Sequence, residues 1–205
     1  MKYDWKKEEK MFYGAKMKSE VVDVPCFNYI LLSGHGDPNE PLFSQKVSTL
    51  FSLAYAIKMN YKKQTRDDEI VSDYAVYPLE GLWSLSSKQE RINKDELEYT
   101  IMIRQPDFIT EEMVDQAIEK IKKKKDDPFI DDVVFEAICD GECVQILHKG
   151  SFDDEPASFE KLDQYCQDHG YKRIKNQHRE IYLNDKNRTK IDNLKTILRY
   201  PIIKS

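Results

Sequence analysis

The order of short markers along this chain repeats once, and that repetition constrains the fold more than any other feature. The apolar run Tyr29-Ile30-Leu31-Leu32 leads through glycine-rich polar residues to Glu40-Pro41. Val144-Gln145-Ile146-Leu147 does the same, passing through Lys149-Gly150-Ser151 to Glu155-Pro156. A helical pattern follows each Glu-Pro pair and two strand-like runs follow each helix. Each copy closes on Arg-x-Pro, at Arg104-Gln105-Pro106 and at Arg199-Tyr200-Pro201. Identities are few, but the shared order predicts one unit present twice. The seam between two such halves is a ready place for a pocket, with one wall from each.

Residues 1–20 are charged, lack clear periodicity and read as an N-terminal arm, fixed to the body by Trp5, Phe12 and Tyr13. The body is expected over 21–205, with a first half of about 21–109 and a second of about 110–205. Cys26 to Ser33 reads as a strand, and Gly34-His35-Gly36-Asp37-Pro38-Asn39 as a loop. Val47, Leu50, Phe51, Ala54 and Ile57 recur at helical spacing, predicting a helix from about Leu42 to Met59. A polar connection over 61–71 precedes strands near Asp73 to Leu85 and Leu97 to Arg104, which the polar stretch Ser86 to Glu96 separates.

Thr110 is an N-cap candidate for a helix with Met113, Ala117, Ile118 and Ile121 on one face. Val133 to Ile138 and Val144 to His148 predict a hairpin around Asp140-Gly141. Phe159, Leu162 and Cys166 mark a further helix ended by Gly170. The last strands run near His178 to Leu183 and Leu194 to Ile203. Strands joined in sequence by short turns pair antiparallel, so the fold class is α+β: a duplicated strand-helix-strand-strand module, with helices on one face of an antiparallel sheet.

No apolar stretch nears the roughly 20 residues that cross a bilayer, and the N-terminus lacks a signal peptide's apolar core. The chain therefore reads as cytoplasmic, with no membrane partner. A net charge of −5 argues against binding nucleic acid. The one basic run, Lys122-Lys123-Lys124-Lys125, suits the negative end of a helix dipole. Cys26, Cys139, Cys143 and Cys166 form no paired zinc spacing, so all four read as reduced structural thiols. The histidines likewise form no metal motif, and no cofactor is expected.

Candidate chemistry lies on two strands. His178, Glu180 and Tyr182 alternate onto one face, leaving Ile181 and Leu183 for the face expected to pack on the helices. Glu80 is expected at the corresponding place of the first copy, in Tyr77-Pro78-Leu79-Glu80-Gly81-Leu82-Trp83, where a bulge at Gly81 would bring Trp83 to Glu80. An exposed strand position is the ordinary place for a glutamate. A glutamate among aromatics instead suits proton transfer, because burial raises its pKa. Tyr99 reads equally as a site wall or an ordinary strand residue.

These segments, with Met102-Ile103-Arg104-Gln105-Pro106-Asp107-Phe108, Gln145-Ile146-Leu147-His148-Lys149-Gly150, Asp153-Asp154-Glu155-Pro156 and Glu180-Ile181-Tyr182-Leu183-Asn184-Asp185, resemble the stand-alone GyrI-like proteins. The resemblance runs from about Tyr13 to Ile203. It implies a duplicated module with a ligand pocket at the seam, similar to the effector-binding domains of multidrug-responsive transcription regulators. Glu180 holds the matching Glu-x-Tyr position. Ser84 stands where relatives often carry a second tryptophan.

Three functions follow from this resemblance. One is a detoxifying hydrolase of cyclopropane-bearing genotoxic natural products. Glu180 would be its general base, and Tyr182, Trp83, Glu80, Tyr99 and His148 would bind the ligand. The second is a binder or sensor of hydrophobic cations without turnover. The third is a protein-interaction module, since the family's namesake acts on DNA gyrase. A glycosidase-like pair from Glu80 and Glu180 is chemically conceivable, but nothing indicates a sugar site.

Overall fold

The fold is described from a computed structural model, over residues 1–65, 71–85 and 97–205. The expected connection Ser86 to Glu96 and part of that over 61–71 lie outside the described residues. In chain order the elements are β1 (Lys2–Tyr3), α1 (Trp5–Glu8), α2 (Lys10–Tyr13), β2 (Glu20–His35), α3 (Pro41–Gln64), β3 (Asp73–Tyr74), β4 (Leu79–Leu85) and β5 (Leu97–Gln105). Then come α4 (Glu111–Lys122), β6 (Val134–Lys149), α5 (Glu155–His169), β7 (Tyr171–Arg173), β8 (His178–Tyr182) and β9 (Lys195–Lys204).

Local signals set the helix ends. Pro41 and Pro156 occupy first-turn positions of α3 and α5, where a missing N–H costs nothing. The Met113 amide donates to Thr110 Oγ1 at 3.4 Å, capping α4. Gly170 ends α5 with φ of 71°, a left-handed conformation that favours glycine. The lysine tract does end α4, where Lys122 pairs with Glu119 and Asp131, and Lys125 with Asp127.

The main sheet is antiparallel, in the order β6-β2-β5-β4-β8-β9-β7, and β6 also pairs with β9. That extra ladder closes β6, β2, β5, β4, β8 and β9 into a barrel-like ring. Exchanging β2 with β6, β5 with β9 and β4 with β8 leaves the ring's pairings unchanged. The ladders nevertheless put the two glutamates out of step. Ile103, just before Arg104, pairs with Leu79, whereas Leu198, just before Arg199, pairs with Glu180. Counted from the Arg-x-Pro markers, Glu180 therefore corresponds to Leu79 and not to Glu80.

The expected hairpin at Asp140-Gly141 does not form. β6 runs straight through it, pairing with β2 in one constant register from Glu20↔Gln145 to Leu31↔Val134. Gly141, with φ of 68°, takes up a local kink opposite Val24. Continuity of β6 also overturns the reading of four free thiols. The register sets Cys26 opposite Cys139, and the two form a disulfide, while Cys143 and Cys166 remain free and buried. Partners 113 residues apart become neighbours only through the ladder.

Helices α3 and α4 cover one sheet face, where Leu50, Leu53 and Ile57 join Ile30, Leu32, Ile101 and Ile103 in the main core. The N-terminal segment covers the opposite face. Trp5, Tyr13 and Ala15 are buried, and the Trp5 indole donates to the Val76 carbonyl at 3.0 Å. Buried Glu9 pairs with Arg104 and accepts from the hydroxyls of Tyr3 and Tyr77. Arg199 donates to the Phe12 carbonyl. No described helix is long and apolar enough to cross a membrane.

Candidate functional site

The β4–β8 ladder pairs Gly81 with Glu180 and Glu80 with Ile181. Neighbouring residues on a strand point to opposite faces, so the two glutamates lie on opposite sides of the sheet. Glu180 is on the helix side: Phe159 of α5 meets His178 edge-on at 4.7 Å, and Phe43 of α3 stacks on Trp83 at 5.8 Å. The apolar residue expected to face the helices, Ile181, instead lies beside Glu80, whose carboxylate accepts from Tyr13 on the side of the N-terminal segment. The reason is that the N-terminal segment supplies a second apolar layer, which frees the helix side for polar residues.

Glu180 is 9% exposed and has a partner for each oxygen. Tyr182 donates to Oε2 at 2.8 Å, and His178 Nε2 lies 2.9 Å from Oε1. A carboxylate oxygen only accepts, which places the imidazole proton on Nε2 when Glu180 is charged. The Trp83 indole N–H donates to the Tyr182 hydroxyl at 2.9 Å, completing a relay from Trp83 through Tyr182 to Glu180. Burial and the Glu180 charge push the Tyr182 phenol well above its ordinary range, so it remains a donor.

Trp83 reaches Tyr182 because Gly81 has no side chain. A Cβ there would meet Trp83 Nε1 at 2.5 Å. No bulge is involved, since β4 keeps one register with β5 from Leu79 to Leu85. Tyr99 uses a second gap, over Gly34, and packs against Trp83 at 5.5 Å and Phe43 at 5.0 Å.

The structure thus gathers Glu180, Tyr182, Trp83 and Tyr99. Glu80 stands apart, whereas His148 lies opposite Thr196 as Tyr182 does, on the same face of the sheet. Glu80 is 1% exposed on the other face, paired with Arg179 at 2.8 Å and accepting from Tyr13 at 3.1 Å. It is neither a solvated strand residue nor a neighbour of Trp83. His148 joins the end of β6 to the start of α5, through Ser158 at 2.9 Å and the Ser151 carbonyl at 2.8 Å.

One residue at the site was legible only as a marker of the repeat. Glu155, the first residue of α5, is buried, and Glu180 acts on it directly. Burial and the Glu180 charge push its carboxyl up to about 9. Two adjacent carboxyls amid Trp83, Tyr99, Phe43, Phe152 and Phe159 can hold one proton between them and accept another from water. Among the described residues no group of three or more histidines, cysteines and carboxylates is arranged to hold a metal.

The GyrI-like small molecule binding domain matches residues 17–203. The chain belongs to the GyrI-like family. An uncharacterized conserved protein from Listeria innocua is similar to this GyrI-like protein at 38% identity, covering 98% of this chain and 100% of its own, with a TM-score of 0.90. A hydrolase from Listeria innocua is 36% identical over the same shares of the two chains, with a TM-score of 0.86. The C-terminal domain of EcmrR shares the fold at 13% identity, covering 92% of this chain and 98% of its own, with a TM-score of 0.58. A comparison with curated proteins finds no match.

Proposed function

We propose that this small-molecule-binding domain is a hydrolase that opens a strained electrophilic ring, such as that of a cyclopropane-bearing alkylating natural product, with Glu180 as general base. The observation that carries the reading is the hydrogen-bonded carboxylate set among aromatic rings. Glu180 is oriented through both oxygens, by Tyr182 and His178, yet is nine-tenths withdrawn from solvent. Trp83, Tyr99 and Phe43 supply flat walls for a polycyclic ligand, and Glu180 would draw the proton from a water aimed at the ring carbon. Similarity to a Listeria innocua hydrolase supports turnover over simple binding. Entry would displace the Phe152 ring, which is 37% exposed and packs edge-on against Tyr182. The exchange-invariant ring of strands supports our reading of the chain as a duplicated module whose seam holds this site.

The test is incubation with a cyclopropane-bearing alkylator and detection of ring-opened product by mass spectrometry. Glu180→Gln keeps the side chain's size but removes its charge and basicity. Turnover should fall about a hundredfold or more, the scale of losing a general base. Unchanged turnover would remove Glu180 from the chemistry.

A second reading, a binder of hydrophobic cations, is favoured by the same carboxylate lying among aromatic faces. Under it, calorimetry should show cation binding that weakens in Glu180→Gln, with no ring-opened product at any protein concentration.

A further inference from the structure

The start of α5 lies over the strand face that carries Glu180. Phe152, in the turn leading into the helix, meets the Tyr182 ring edge-on at 5.9 Å. Phe159 meets the His178 ring at 4.7 Å. Glu155 falls between these two phenylalanines, and Glu180 falls between their two partners. Residues four apart share a helix face, so Glu155 is directed where Phe159 is directed, onto β8. It is 7% exposed, and its Oε1 has no hydrogen-bond partner among the described residues. Both oxygens of Glu180, by contrast, are partnered.

Two neighbouring carboxyls in a dry site cannot both carry full charge. The donors lie on Glu180, which leaves Glu155 as the member that keeps the proton. Its raised titration, caused by burial and by the Glu180 charge, agrees with that assignment. The protonated carboxyl is hydrogen-bonded to Glu180, and its Oε1 is left without a partner among the described residues, open to a group that enters the site.

We propose that Glu155 is the general acid of this site, working with Glu180 as base on an electrophile whose strained ring is conjugated to an acceptor oxygen. This rests on the hydrolase reading above. The water oxygen bonds to the ring carbon and its proton passes to Glu180. The ring C–C bond breaks, and its electron pair moves through the conjugated system to the acceptor oxygen, which takes the proton of Glu155. The product is an alcohol carrying an enol: one water is added and nothing is oxidised or reduced. Each turnover leaves Glu180 protonated and Glu155 ionised, and proton transfer between the neighbours restores the starting state.

Two measurements test the assignment. The first needs no substrate: infrared titration of the buried carboxyl band in wild type, Glu155→Gln and Glu180→Gln. The band should persist above the ordinary carboxylate range in wild type and be lost in Glu155→Gln. Its midpoint should move down in Glu180→Gln, where the neighbouring charge is gone. An ordinary wild-type titration, or a midpoint indifferent to Glu180→Gln, overturns the proposal, and the wild-type curve decides even if a variant fails to fold.

The second measurement follows ring opening of two cyclopropyl ketone probes that release enols of different acidity. Glu155→Gln should lower kcat about a hundredfold or more, leave KM nearly unchanged, and cost less with the probe that releases the more acidic enol. An equal loss with both probes, or one confined to KM, rejects the acid role. Absence of wild-type turnover rejects the hydrolase reading and the acid role with it. Turnover in a protein whose Glu155 titrates normally rejects the acid role alone.

Discussion

Gly81 and Glu180 face one another across neighbouring strands, and the bare backbone at Gly81 is the space that the Trp83 indole crosses to reach Tyr182. The orientation of the candidate base thus depends on a residue that contributes no side chain to it.

Gly81→Ala should push the indole aside, because the added methyl would lie 2.5 Å from its nitrogen. Overpacking of this kind costs about 1–3 kcal/mol. Chemical denaturation should show that loss, and tryptophan fluorescence should change as Trp83 leaves its hydroxyl partner. Wild-type stability together with an unaltered emission spectrum would show that the indole has room to spare.

The buried Glu80–Arg179 pair makes an opposite kind of prediction. Removing one member of a buried ion pair costs about 3–5 kcal/mol, since the other charge stays buried. Here Asp140 also holds Arg179, at 2.9 Å, so Glu80→Ala should fall at the lower end of that range. The folded fraction should bind aromatic ligands as wild type does. A loss of affinity without a loss of stability would return Glu80 to the binding site.

The disulfide can be counted. Alkylation of unfolded, unreduced protein should label two cysteines, Cys143 and Cys166, and reduction should raise the number to four. Replacing Cys26 and Cys139 by serine should lower stability by about 2–4 kcal/mol, the usual range for a bridge that closes a long loop. Four labels without reductant would show the pair to be open.

Stability should also depend on pH through Glu155. Its folded-state carboxyl binds a proton more tightly than in the unfolded chain. The resulting stabilisation is complete below the unfolded carboxylate range, near about 4, and is lost as pH rises toward about 9. Thermal unfolding between about pH 5 and about pH 8 should therefore decline more in wild type than in Glu155→Gln. Parallel profiles would mean that Glu155 titrates alike in both states.

The helices were readable because their signals are local. Thr110 caps, Gly170 terminates, and the apolar spacing of Leu50, Ala54 and Ile57 needs no knowledge of distant residues. Glu180 and Tyr182 could be placed together because strand alternation is local too. What escaped depends on long-range register. The Cys26–Cys139 pairing, the face of the sheet that Glu80 occupies, and the approach of Glu155 to Glu180 are set by ladders and by helix docking. Asp140-Gly141 misled for a related reason: a turn-forming pair folds back only if the flanking segments prefer each other, and both prefer β2. The N-terminal segment was expected to be held by aromatic packing, but its charged anchor, Glu9 on Arg104, has no signature in either stretch alone.

The closed ring of strands has a consequence for any attempt to divide this protein. Both ladders that cross from one half to the other, β2–β6 and β4–β8, lie within the ring. A chain cut between Asp107 and Thr110 would leave each fragment with two bare strand edges and half of the Glu180 cluster, with Trp83 on one piece and Tyr182 on the other. Such edges recruit strands from any available chain. Co-expressed fragments would therefore have one soluble option, to find each other and rebuild the ring. Recovery of relay chemistry from the mixture would make the molecule a split reporter of its own assembly.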